Sequence, residues 1–270
     1  MENFLLVHES TIRLSVFIGV FAVMAVWEVF RTKRPQTLHR SQRWPYNILL
    51  VALNTLLMRL IFPIFPIGVA LWADLEGWGL FNIISLPAPL TIILAVVILD
   101  LAIYAQHVVF HQVPFLWRLH RMHHADTELD VTSGARFHPI EIALSLIIKM
   151  VLVALLGVPA SSVILFEVIL NGAAMFNHAN INLPSGVDRV LRWILVTPDM
   201  HRVHHSEIVN ETDSNFGFNL SCWDRIFGTY TAQPRRGHLG MTIGLPIFRG
   251  SEEARLDKLL TQPFRNDRTA

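Results

Sequence analysis

Three groups of histidines stand at spacings suited to metal chemistry: His107-x3-His111, His120-x2-His123-His124 and His201-x2-His204-His205. Imidazole holds iron, zinc or copper through a neutral nitrogen. Residues three and four apart share one face of a helix, so each group can aim its rings at a common centre. The groups hold eight of the chain's thirteen histidines. A tetrahedral zinc takes about four ligands, so eight aimed imidazoles exceed one such ion and suffice for two. A single HxxxH is a weak signal; two copies of HxxHH beside one make a dinuclear metal centre the better reading than a basic or pH-sensing surface.

The elements that must position these residues are apolar. Of 270 residues, 52% are hydrophobic and 16% charged, too apolar for an ordinary soluble domain. Apolar runs cover 11–30, 46–73 and 88–111. A fourth, 139–177, is interrupted by Gly157-Val158-Pro159, which suggests a helical hairpin. A bilayer core of roughly 30 Å needs about 20 apolar residues per helix. The expected fold is an all-α membrane protein of about four transmembrane helices, the last two readable as a short hairpin. A cytoplasmic helical cap then holds a histidine-rich di-metal site. The first run reads as a retained span, because Glu28 and Arg31 follow it where a signal peptide would carry a small-residue cleavage site.

Charge sets an expected orientation. The 31–43 loop carries Arg31, Lys33, Arg34, Arg40 and Arg43, whereas 74–87 carries Asp74 and Glu76 and no Lys or Arg. The positive-inside rule places 31–43 in the cytoplasm and the amino terminus outside. The third run then delivers His107 and His111 to the cytoplasmic face, and a hairpin at 139–177 keeps His201, His204 and His205 there too. Topology drawn from charge alone thus brings all three groups to one side.

Within the third run, Asp100, Tyr104, His107 and His111 form one helical stripe. Asp100 lies about 10 Å before His107, where an ionisable group is costly. It can orient a ligand histidine or bond between helices with no metal nearby, and the sequence leaves both open. Pro114 ends that run and starts an interfacial helix bearing His120, His123 and His124. His138, beside Pro139, and His178, in Asn177-His178-Ala179-Asn180, are further ligand candidates; capping and hydrogen bonding are the alternatives. His8, His39 and His238 are isolated and expected to be exposed. Residues 183–197 read as a short amphipathic interfacial helix with Trp193 on its apolar side, and 251–270 as a surface helix and frayed tail.

A net charge of +1 and no basic stripe give no sign of nucleic-acid binding. The single cysteine, Cys222, excludes an intramolecular disulfide and suits a reducing compartment.

The order HVVFH, eight residues, HRMHH and a later HRVHH resembles the fatty acid hydroxylase superfamily, also called the sterol desaturase family. Arg136-Phe137-His138-Pro139, Thr197-Pro198-Asp199-Met200-His201, Asp213-Ser214-Asn215-Phe216-Gly217 and Trp223-Asp224 through Tyr230 resemble its surrounding segments. The likeness runs from about 88 to 232. It divides the chain into an N-terminal transmembrane region (1–87), a catalytic region (88–232) and a C-terminal cytoplasmic tail (233–270). The resemblance implies two iron ions, with zinc able to replace them in purified protein, and O2 as co-substrate. It implies that His107, His111, His120, His123, His124, His201, His204 and His205 are the ligands, joined by His178. Asp199, Asp213, Asn215 and Asp224 become candidates for orienting imidazoles.

The implied activity is hydroxylation of a membrane lipid such as a fatty acyl chain or sterol, with desaturation or ether-lipid monooxygenation as family alternatives. Ether-cleaving branches resemble this pattern with a glutamate after the second histidine, where this chain has Gln112. From other classes, a zinc-dependent lipid hydrolase and a catalytically silent lipid- or metal-binding protein compete. No GxGxxG follows a strand and no cysteine set exists for a cluster. Electrons are therefore expected from a separate ferredoxin, cytochrome or reductase.

Overall fold

A computed structural model describes residues 2–266. The expected end of the tail, 267–270, lies outside the described residues. Every regular element among them is helical; the only extended pairings are isolated bridges, Thr32 with Ile181, Leu195 with Leu220 and Ser206 with Ile243.

The N-terminal part comprises α1 (Glu2–Val7), α2 (Glu9–Phe30), α3 (Arg40–Ile61), α4 (Pro66–Leu75) and α5 (Leu80–Ile83). Next come α6 (Ala88–Gln112), α7 (Pro114–His124), α8 (Pro139–Leu156) and α9 (Ala160–His178). Shorter helices complete the chain: α10 (Ser185–Leu191), α11 (Pro198–His204), α12 (Val209–Thr212), α13 (Cys222–Ile226), α14 (Gly237–Gly240) and α15 (Leu256–Thr261).

Five stretches are long and apolar enough to cross a membrane: Glu9–Phe30, Arg40–Ile83, Ala88–Gln112, Pro139–Leu156 and Ala160–His178. The expected count of about four becomes five because both arms of the expected hairpin at 139–177 are long enough to cross, and they part at Gly157. That residue takes a left-handed conformation (φ 63°) as it ends α8, and Pro159 caps α9. A Cβ at Gly157 would meet the Trp78 carbonyl oxygen at 2.6 Å, so close approach as well as φ demands glycine. Leu14, Ile18, Val23, Val26, Leu56, Leu60, Ile93 and Val151 remain exposed along these helices, as lipid-facing residues should.

Inside, Ala70, Ala95, Leu99, Val153, Val163 and Phe166 pack α4, α6, α8 and α9 together. Near the histidines, Met24 of α2 meets Met175 of α9 and the Ile181 strap. Among the described residues after 250, the expected surface helix is α15, with Asp257 and Thr261 exposed and its other face packed down. Leu259 is fully buried against Leu50 and Met122, which seats α15 between α3 and α7. Arg118 and Arg121 of α7 donate to the carbonyls of Pro263 and Gln262 beyond it.

Candidate metal centre

Four helices deliver nine histidines to one buried locus. α6 supplies His107 and His111 near its end. Pro114 forces a new helix, and α7 carries His120, His123 and His124 back alongside. His178 is the last residue of α9. His201 and His204 lie on α11, which Thr197 caps by accepting from the Met200 amide, and His205 follows as its C-cap.

The rings separate into two groups, each with its donor atoms within 4.8 Å of one another: His107, His111, His120, His124 and His204, and His123, His178, His201 and His205. Neighbouring residues part company. His123 and His124 serve different groups, as do His204 and His205, because adjacent side chains on a helix point about 100° apart.

Six rings are oriented through Nδ1. His107 donates to the Phe216 carbonyl (2.8 Å), His123 to that of Arg136 (3.2 Å), His178 to that of Ala174 (2.7 Å) and His204 to that of Ser214 (2.8 Å). His120 pairs with Glu141 (2.6 Å) and His111 with Asp213 (3.1 Å). With the proton held at Nδ1, Nε2 keeps its lone pair. Yet Nε2 atoms face each other: His107 with His120 at 3.1 Å, His111 with His124 at 3.1 Å, His123 with His178 at 3.1 Å and His178 with His201 at 3.0 Å. His204 Nε2 is buried with no partner at all. Converging lone pairs repel, and a cation between them removes the conflict. His201 and His205 differ, since their Nδ1 atoms are buried without a partner; packing alone fixes those rings.

Burial pushes the imidazoles of His123, His124, His201 and His205 well below their ordinary range, and that of His204 to about 3; the neighbouring rings add to the effect. They are therefore neutral at physiological pH, the form that binds metal. Aromatic walls exclude water. Phe216 lies against His107, His111 and His204, Trp117 against His111 and His124, and Phe137 stacks on His123 at 4.5 Å.

The loops that supply carbonyls are pinned by buried charge. Arg43 of α3 bonds Asp126 through Nε (2.9 Å) and Asp130 through a terminal nitrogen (2.6 Å), and Asp126 also meets Arg136 at 3.3 Å. That network holds the Arg136 carbonyl on His123. Asp224 accepts from the Phe216 and Gly217 amides (2.7 and 2.8 Å) and holds the Phe216 carbonyl on His107. Burial raises the Asp224 carboxyl to about 6. Asn215, in the left-handed region at φ 52°, bonds the Met200 and Thr231 carbonyls and so fixes the loop after α11.

Of the candidate orienting residues, only Asp213 bonds a histidine ring directly. Asp199 instead pairs with Lys33 and Arg202. Asn215 and Asp224 act on backbone, and Asp100 binds the segment 219–223 rather than an imidazole. The structure brings His138 to neither group: it caps α8 by accepting from the Ile140 amide and reaches the Leu260 carbonyl. His238, expected in solvent, packs beside Asp199 with a side chain only 10% exposed. His39 is exposed but caps α3. Sequence reasoning missed Glu141, although an acid in the first turn of an apolar membrane helix is costly enough to signal a partner.

Comparison with known proteins adds relationship to this geometry. The family profile described as fatty acid hydroxylase matches residues 92–229. The ornithine lipid hydroxylase of Rhizobium tropici is 31% identical over 164 residues, covering 61% of this chain and 49% of that protein. The alkylglycerol monooxygenase of Xenopus tropicalis is 29% identical over 67% of this chain and 40% of its own. The cholesterol 25-hydroxylase of Rattus norvegicus is 25% identical over 68% and 61%. The chain thus spans about half or less of the length of the first two. No solved structure matches it.

Proposed function

The chain belongs to the fatty acid hydroxylase family, and from that premise and the paired histidine groups we propose that it hydroxylates a membrane lipid with O2 at a two-iron centre. The observation that carries this reading is the convergence of histidine Nε2 atoms in two adjoining buried groups. Ligands at right angles on a metal with bonds of about 2.1 Å stand about 3.0 Å apart, which fits the separations between facing rings. All-nitrogen donors suit iron, zinc and copper rather than calcium or magnesium.

His107, His111, His120, His124 and His204 would hold one ion, and His123, His178, His201 and His205 the other. When bound, the pair supplies the redox chemistry that activates oxygen toward a C–H bond. The protein's own residues do the rest. Glu141 and Asp213 hold the Nδ1 protons of His120 and His111, keeping their Nε2 atoms available. Phe216, Phe137 and Trp117 keep bulk water from the rings. Five membrane-length helices lead to the centre, so an aliphatic substrate can reach it from the bilayer without charged recognition. Relatives that act on ornithine lipids, alkylglycerols and cholesterol support a lipid substrate. A separate electron donor completes the reading. The basic 31–43 loop supports a cytoplasmic location for the histidines, with the amino terminus outside.

Metal analysis of protein purified anaerobically from iron-supplemented cells, with Mössbauer spectra, tests the centre. Two coupled irons per chain, and an O2-dependent lipid product that gains one oxygen, are the expected results. One zinc and product formation without O2 would move the protein to the hydrolases.

A further inference from the structure

Asp100 is the midpoint of α6, twelve residues from either end, with about 18 Å of helix on each side. Three donors converge on its carboxylate: Asn219 Nδ2 at 2.8 Å, the Leu220 amide at 3.2 Å and Trp223 Nε1 at 2.9 Å. All come from the segment that follows the last histidine group. Nearer the histidines, the Tyr104 hydroxyl bonds Thr229 Oγ1 (2.9 Å), and its ring stacks on Phe227 at 5.3 Å. The Ser221 amide donates to the Ile194 carbonyl (3.0 Å), and Leu195 bridges to Leu220. Residues 193–195 and 219–230 are therefore one body, and it lies against the middle of a membrane-length helix.

This body is polar inside and apolar outside. Asn219, Ser221 and Asp224 are buried, whereas Trp193 is 69% exposed, Ile194 65%, Ile226 63% and Phe227 56%. Arg225, the charged side chain among them, is spent internally. It donates to the Ser221 and Arg192 carbonyls and lies over the Trp193 and Tyr230 rings. On the adjoining α10, Val190 is also exposed. Four large apolar side chains on one water-facing patch would be an uncompensated cost.

We propose that residues 193–195 and 219–230 form a shoulder immersed among the acyl chains of the leaflet nearest the histidines. Lipid tails are the occupant that fits. Phe227, 56% exposed, stacks on the buried Tyr104 ring and so ties the patch to α6. Non-helical backbone survives at that depth only where its polar groups are satisfied by protein. Asp100 meets part of that need, its carboxylate taking the Leu220 amide and the Asn219 and Trp223 side chains, and backbone bonds within the body, Ser221 to Ile194 and Val196 to Asn219, meet more. The inference stands on the membrane placement of α6 and is independent of which metal the histidines hold.

The test uses the full chain in phosphatidylcholine nanodiscs, where both faces are open to reagent. Single cysteines replace Ile226, Phe227 or Arg236 in a Cys222→Ser background; Arg236 is the control, with a side chain 56% exposed beside Glu207 and outside the proposed shoulder. A charged maleimide should label Arg236→Cys readily, and Ile226→Cys and Phe227→Cys at least about tenfold more slowly, the effect of one unit of thiol pKa. Equal rates at all three would overturn the proposal. The unchanged protein gives a second readout that needs no variant: a diazirine placed on a lipid tail should form adducts at Trp193, Ile226 and Phe227. Adducts confined to span residues such as Leu14 and Ile18 would overturn it as well.

Discussion

Glu141 Oε1 lies 2.6 Å from His120 Nδ1, across 21 residues and between two helices. Both side chains are buried. The carboxylate fixes which nitrogen of the ring carries the proton, and so which is free to bind.

Replacing Glu141 with alanine should weaken metal retention about 10- to 100-fold, the usual effect of removing a partner behind a ligand histidine. Asp213 holds His111 in the same way, but its side chain is 39% exposed, so water can take its place. Asp213→Ala should therefore lose less than Glu141→Ala in a chelator competition. Equal retention by wild type and Glu141→Ala would show that the contact does not orient a ligand.

Gly134 gives a prediction about space. A Cβ there would stand 2.5 Å from the Ala174 carbonyl oxygen and 3.3 Å from His178 Nδ1, the two atoms of the bond that aims His178. Gly134→Ala should displace that carbonyl and weaken the four-histidine group directly, the five-histidine one less and only through the linkage between them. Metal stoichiometry should fall from two toward one per chain. A variant that keeps both ions would refute it.

Asp100→Leu should destabilise the protein by about 1–3 kcal/mol, the cost of leaving the buried Asn219 donor without an acceptor, with a smaller addition from the part-buried Leu220 and Trp223 donors. Asp100→Asn keeps one acceptor oxygen and should recover part of the loss. Thermal unfolding in detergent reads both. Equal midpoints for wild type and Asp100→Leu would remove the proposed anchoring role.

Acid should release the metal. Burial lowers the folded-state pKa of His123, His124, His201, His204 and His205, the fourth to about 3. The unfolded chain binds their protons at about 6.5, so it carries more protons than the folded one as pH falls below that value, for His204 down to about 3. Stability is then complete above about 6.5 and declines as pH falls through that window. Asp224 acts oppositely: raised to about 6, it favours the folded state as pH falls toward its ordinary value. Burial raises Asp213 too, but two carboxyls against five imidazoles leave the net direction acid-labile. Metal content after equilibration from pH 7.5 down to 4 checks it, and Asp224→Asn should steepen the loss.

The helices that carry the histidines were legible in the sequence because their chemistry repeats at helical spacing. His107 and His111, or His201 and His205, need only local geometry to share a face, and Gly157 with Pro159 marks the break in the last apolar run just as locally. The orienting shell was illegible for the opposite reason. Carbonyls of Phe216, Arg136, Ala174 and Ser214 have no side-chain signature, and Glu141 meets His120 only through tertiary packing. Asp100 obeys the same period, which left open whether it orients a histidine or bonds to another segment, and the structure shows the second. It sits on the histidine face of α6, but seven residues of helix place it beyond the rings and against a segment whose return the sequence does not announce. The expectation for His238 failed, since its burial depends on Asp199 and α14 coming together.

The division of neighbours between the two groups carries a thermodynamic consequence. α7 sends His120 and His124 one way and His123 the other; α11 sends His204 one way and His201 the other, with His205 beside it. An ion that fixes either helix for its own group also pre-orders the donors of the other. The two binding events are then linked, and linkage is reciprocal: whatever the first ion contributes to the affinity of the second, the second returns to the first. Loading should be sigmoidal in metal concentration, with singly occupied chains scarce at half saturation.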